Sequence, residues 1–233
     1  MRCIKIGIMG NYKSSPGFAG ANNIMIFIDG GYLRKNVKNL VDNDDINYQI
    51  LASFLRDNGR LDTRFAAHVI RIYYYDGIAS IKDVNNLNQE TEEDMQVIRS
   101  AGDMLSVKEQ KQEEYVKKIK DLELYEVRLG RHVLSTTGGI ENKKNWVWRQ
   151  KGVDSLIAID MITKGFEGQY NTAILLAGDA DFVEIVNSVK NLGANVVGAF
   201  FPDHISQDLE FSLDKKIELR EGDLLLQKII HEN

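Results

Sequence analysis

Four aspartates sit where their spacing invites chemistry. Asp179 and Asp181 flank a single residue in LLAGDADF (175–182), directly after an apolar run. Asp29 closes the apolar run IMIFID (24–29) and is followed by Gly30 and Gly31, while Asp154 follows Lys151-Gly152-Val153 at the head of a helical pattern. Two carboxylates about 4 Å apart repel by roughly 4 kcal/mol at an effective dielectric near 20. A cluster of them therefore takes up protons or recruits a cation. Oxygen-only donors select Mg2+ or Mn2+; the single cysteine, Cys3, excludes a Cys-based zinc site, and no paired His accompanies the acids. Mg2+ held by carboxylates is commonly completed by substrate phosphate oxygens, so phosphoryl chemistry is the expectation.

Each acid also has a structural reading. Asp181 with Glu184 three residues later forms a capping box for a helix starting near Phe182, and Asp154 fits a helix N-cap. Asp76-Gly77 reads as a simple turn. Asp29 and Asp179, at strand ends, have weaker structural explanations.

The elements that would position these residues alternate along the chain. Apolar or β-branched runs at 24–29, 68–77, 172–179 and 195–201 read as strands, and helical patterns fill 46–57, 106–122, 153–164 and 182–192. Such alternation predicts an α/β domain with a mostly parallel sheet flanked by helices. In open sheets of this kind ligands bind outside the carboxyl ends of the strands, which is where Asp29 and Asp179 fall. If the strands are parallel neighbours, all four aspartates converge at one edge. Residues 1–23 read as a leader or an extra edge segment and 24–233 as one domain, with a polar insertion over 80–112. The stretch 124–150 reads as a β-hairpin turning near Gly138-Gly139.

Composition narrows the classes. The 233 residues are 43% hydrophobic and 27% charged with a net charge of −5, which disfavours a general polyanion-coating role. No segment reaches the roughly 20 apolar residues of a membrane span, and one cysteine fits a reducing cytoplasm. Positive charge is local instead. Lys143, Lys144, Arg149 and Lys151 surround Trp146 and Trp148, with Arg128 and Arg131 on the facing strand. Cations with interleaved aromatics grip single-stranded nucleic acid. The alternative is that the two Trp share one strand face and pack on the core, and that Lys151 is an ordinary solvated lysine.

FIDGGYL (27–33), KGVDSLIAIDM (151–161) and LLAGDADFVEIVNSVKNLGANVVG (175–198) resemble, in order, the signature blocks of the NYN domain, a LabA-like branch of the PIN-like nuclease superfamily. The resemblance covers approximately residues 24–220. It implies a Rossmann-like sheet, an acidic Mg2+ or Mn2+ pocket and endonucleolytic cleavage of RNA, single-stranded or structured. It matches Asp29, Asp154, Asp179 and Asp181 to the family's catalytic and metal-holding aspartates. Asp160 matches a further helix aspartate, and Asp214 lies in ISQDLEFSLDKKIEL (205–219), which resembles the family's terminal helix; both are expected to support the pocket from outside. Tyr32 stands where the family often has Asn, and Ala177 where Ser is usual. These departures keep a second expectation open: a catalytically reduced NYN-fold module that binds RNA or a nucleotide in a regulatory role. A homo-oligomer is compatible with either.

Overall fold

The computed structural model describes residues 21–41, 45–64, 66–79, 112–136 and 146–230. β1 (Ala21–Asp29) runs into α1 (Gly30–Val41), then come α2 (Tyr48–Gly59) and β2 (Ala66–Ala79). A helix at 112–120, α3, precedes β3 (Tyr125–Thr136), β4 (Trp146–Lys151) and α4 (Val153–Phe166). The chain continues through β5 (Thr172–Leu176), a 3-10 turn (Ala180–Phe182), α5 (Val183–Asn191), β6 (Asn195–Phe200), α6 (Gln207–Ser212), β7 (Lys215–Glu218) and α7 (Glu221–Leu226). The strands form one sheet in the order β4-β3-β2-β1-β5-β6-β7, parallel except for the antiparallel pair of β3 and β4. The expected α/β architecture and hairpin are both present; the hairpin turn itself lies outside the described residues.

Strand alternation sorts the core into two layers. Ile24, Ile26 and Ile28 of β1 pack with Leu33, Val37, Leu51 and Leu55 from α1 and α2 on one face. Met25 and Phe27 pack with Ile157, Met161, Val186 and Val189 from α4 and α5 on the other. Successive side chains point to opposite faces, so a strand covered on both sides must be apolar throughout. That is why IMIFI is a continuous run.

Several boundaries differ from the sequence expectation. β1 begins at Ala21 rather than Ile24: the Asn22 side chain accepts a hydrogen bond from the Thr172 hydroxyl at 2.9 Å, so 21–23 extend the sheet. The helix α1 was hidden by its glycine pair and scattered polar residues; Leu33 and Val37, four apart and buried, were its faint signal. The 205–219 stretch is not one helix. After Ser206, whose hydroxyl accepts the Leu209 N–H at 3.2 Å, α6 stops at Ser212 and KKIE becomes β7, which satisfies the open edge of β6. Of the 106–122 helical pattern, 112–120 is helical and 106–111 lie outside the described residues, as does most of the polar insertion.

The order of strands places a switch point between β1 and β5. From β1 the chain winds outward through β2 and β3; from β5 it winds the other way through β6 and β7. Loops leaving β1 and β5 therefore part to opposite faces and leave a crevice at their carboxyl ends. Asp29 lies level with Tyr75 of β2, and Tyr75 with Arg128 of β3. β3 continues past that level to Thr136, and β4 returns antiparallel until Lys151 pairs with Arg131. The arm thus projects beyond the crevice and hands the chain back to it.

Candidate active site

Asp29 ends β1 and starts α1. Its carboxylate accepts the Tyr32 N–H at 3.0 Å, which ties it to the first helical turn. Burial pushes its pKa from 3.8 up to about 6; the Tyr32 N–H opposes this, and the charges of Asp154 and Asp76 add to it. Asp154 arrives from the opposite side. Gly152 adopts a left-handed φ of 85°, a conformation that L side chains rarely take, and turns β4 into α4. Asp154 lies in the first turn of α4 and is itself raised, by burial first and then by Asp179 and Asp181. Asp179 and Asp181 follow β5 on an exposed turn. The four predicted aspartates are thus linked electrostatically at one edge, and α1, α4 and the 3-10 turn all begin there. Positive helix ends offset part of the negative charge.

The capping role falls on a different aspartate from the expected one. Asp179 is the N-cap: its Oδ1 accepts the Asp181 N–H at 3.1 Å, whereas α5 begins after Phe182 with no side-chain cap. The intervening 3-10 turn consumes the residues a direct capping box would need, so Asp181 is left uncommitted.

The structure separates the supporting residues from the pocket. Asp160 is buried on α4, where it accepts the Tyr75 hydroxyl at 2.9 Å and pairs with Lys164 at 3.4 Å and Arg128 at 3.5 Å. Six residues of helix put it about 9 Å along the axis from Asp154. Asp214 lies at the opposite edge: it accepts the Val196 N–H at 2.8 Å at the amino end of β6 and pairs with Lys190 at 2.9 Å. Its matching motif position serves the join between β6 and β7, not the pocket. Arg128, expected among the substrate cations, pairs with Glu126 and Asp160 instead. Lys151 is exposed at the end of β4, three residues before Asp154. Lys143 and Lys144 lie outside the described residues; Trp146, Trp148 and Arg149 stand on β4, and their side chains also fall outside them.

Three residues were missed or misread. Asp76 is not a turn residue but a fully buried carboxylate within β2, accepting the Gly77 N–H at 2.8 Å and the Tyr74 hydroxyl at 3.2 Å and paired with Arg34 at 2.5 Å. The β-rich continuation Ile78-Ala79 was the available signal that the strand runs on through it. Ala177 is buried against the α4–α5 layer, so the loss of a polar group there affects packing rather than the pocket wall. Tyr32 turns its hydroxyl to the loop after β6, donating to the His204 carbonyl at 2.8 Å and accepting the Phe201 N–H at 3.1 Å.

The donor set at the edge is all carboxylate, which fits a hard divalent ion. Among the described residues, however, no three His, Cys, Asp or Glu side chains are gathered closely enough to hold one ion. No described helix is long and apolar enough to cross a membrane.

An open doubly wound sheet with aspartates at its switch point defines the class, and comparison with known proteins supplies the family. The NYN domain family matches residues 23–220, so this chain belongs to the NYN domain family, whose members suggest a place in the PIN-like nuclease superfamily and a nucleic acid as substrate class. No curated protein matches it. Among solved structures, it is similar to a crystal structure of a protein of unknown function from Vibrio parahaemolyticus, at 16% identity and a TM-score of 0.51, over 87% of this chain and 95% of that one. That likeness supports the fold.

Proposed function

We propose that this protein is a Mg2+- or Mn2+-dependent ribonuclease that cuts RNA internally at the carboxyl edge of its sheet. The observation that carries the reading is the placement of Asp29, Asp154, Asp179 and Asp181 at one carboxyl edge of the sheet, where burial first and neighbouring carboxylates second raise the pKa of Asp29 to about 6 and raise that of Asp154. Negative charge is concentrated where no described lysine or arginine pairs with any of the four. A divalent cation relieves that crowding. Bound there, it supplies Lewis acidity toward a phosphodiester oxygen and toward water.

The residues divide the remaining work. Asp29, Asp154 and Asp179 would hold the ion, directly or through its coordinated waters. Asp181, free of a capping duty, accepts a hydrogen bond from the attacking water and orients it in line with the leaving oxygen. Lys151, at the foot of the arm, contacts a neighbouring phosphate. Lys143, Lys144, Trp146 and Arg149 supply further cationic and aromatic contacts to the substrate, RNA that is single-stranded or structured.

The test is cleavage of single- and double-stranded RNA with Mg2+, Mn2+ or EDTA, beside Asp29→Asn. Metal-dependent cleavage lost in the variant supports the reading; EDTA-resistant cleavage, or equal cleavage by the variant, overturns it. A second reading has its own support: among the described residues, no acidic trio is already close enough for one ion. On that reading the protein is a regulatory module that retains RNA without cutting it, and the same assay separates the two through binding without turnover.

A further inference from the structure

We propose that Tyr32 is a positioning residue that sets Asp29 against Asp179 by pinning three loops of the carboxyl edge to one side chain. The proposal rests on reading that edge as the nuclease site. Tyr32 lies three residues after Asp29 and gives it its backbone N–H. Its ring lies against Gly178, the residue before Asp179: a Cβ there would stand 2.5 Å from Tyr32 Cε2 and 2.2 Å from the His204 carbonyl oxygen. Its hydroxyl bridges Phe201 and His204 after β6, and its ring lies 5.8 Å from that of Phe201. The Ser206 N–H then returns to the Gly178 carbonyl at 2.9 Å and closes the circuit. Asn36, one turn on, donates to the Tyr32 carbonyl at 2.8 Å and holds the α1 end of the brace.

A phenol has one proton to give, and here the His204 carbonyl takes it. Tyr32 therefore has no proton left for a phosphate or a water, and it acts on the site through geometry. An Asn side chain at this position would be too short to reach the loop after β6, so the brace between the β1, β5 and β6 loops needs the length of Tyr32. The expected consequence is a tighter distance between Asp29, at the end of β1, and Asp179, on the turn after β5.

The test uses the full chain with Tyr32→Phe, which keeps the ring against Gly178 and Phe201 and removes only the hydroxyl, and Tyr32→Asn, which removes the brace. The Asp181 N–H donates to Asp179 and the Ser206 N–H to Gly178, so their NMR amide resonances report the Asp179 loop. Both resonances should move in Tyr32→Phe, and hydrogen-exchange protection of the Phe201 amide should fall about tenfold or more. The half-saturating Mn2+ concentration, read by electron paramagnetic resonance, should rise, and kcat for RNA should fall about 10- to 100-fold with KM unchanged. Excess Mn2+ should restore part of that loss, which it would not do for a merely unstable protein, and Tyr32→Asn should behave alike. Unmoved Asp181 and Ser206 resonances together with an unchanged Mn2+ midpoint would overturn the proposal. Absence of both Mn2+ binding and cleavage in the unmutated protein would instead sink the nuclease reading, and the amide resonances would still decide whether Tyr32 braces the loop.

Discussion

Asp76 and Asp29 occupy neighbouring strands within one residue of the same level, yet they live in opposite electrostatic settings. Asp76 is fully buried and enclosed by Arg34, the Tyr74 hydroxyl and the Gly77 N–H. Asp29 is half-buried with one backbone N–H from Tyr32, one from Gly31 and two more carboxylates in range. The same contrast separates Asp160 and Asp214, each paired with lysine, from Asp154, Asp179 and Asp181, for which no cation partner exists among the described residues. Where the fold needs a carboxylate for its own stability it supplies the counter-charge. Where it leaves several uncompensated at a switch point, the missing charge is expected from solution.

That contrast predicts opposite responses to mutation. At the open edge, Asp179→Asn should lower metal-dependent cleavage by about 10³-fold or more, on the order of 4 kcal/mol of transition-state stabilisation. Stability should be unchanged or slightly higher, because the amide oxygen still accepts the Asp181 N–H. Kinetics and denaturant melts on one preparation check both halves, and intact cleavage would erase the distinction. At the paired site the sign reverses: Asp76→Ala or Arg34→Ala leaves a partner charge unpaired and should cost about 3–5 kcal/mol, read from urea unfolding.

The pH dependence sharpens the comparison at Asp29. Its folded pKa, about 6, lies above the ordinary 3.8, so folding is penalised once the group ionises. Well below pH 3.8 both states carry the proton and the penalty is absent; it grows between about pH 3 and 6 and levels off above about pH 7. Asp29→Asn in EDTA should therefore stabilise the protein by up to about 3 kcal/mol at pH 8 and by almost nothing at about pH 3. Mg2+ should raise the melting temperature of the unmutated chain at pH 8 more than that of Asp29→Asn. Equal pH profiles for the two proteins would show that Asp29 is solvated after all.

The smallest effect is expected at the far edge. Asp214→Asn loses a half-exposed pair with Lys190, worth no more than about 1 kcal/mol, and should leave cleavage within about twofold of the unmutated rate. A large catalytic loss there would return Asp214 to the site and contradict its position at the amino end of β6.

The α/β class, the four principal strands and the edge where Asp29 and Asp179 emerge were legible in the sequence, because continuous apolar runs and their polar ends are local properties. So was the hairpin. Other features are set by partners distant in sequence. Whether Asp76 is a turn or a buried ion pair depends on Arg34, 42 positions away, and the pairing of Asp160 depends on Arg128 across the sheet face. Asp179 became the cap because a 3-10 turn came between it and α5, and KKIE became a strand because β6 needed an edge partner. Tyr32 reads locally as a lost asparagine; only the return of the β6 loop, 172 positions later in the chain, makes its hydroxyl a brace. Residue types and periodicity determine which elements form and which side chains can do chemistry. The counter-charge and hydrogen-bond partner each one meets are decided when the strands assemble, since electrostatic and steric contacts depend on distance in space and not along the chain.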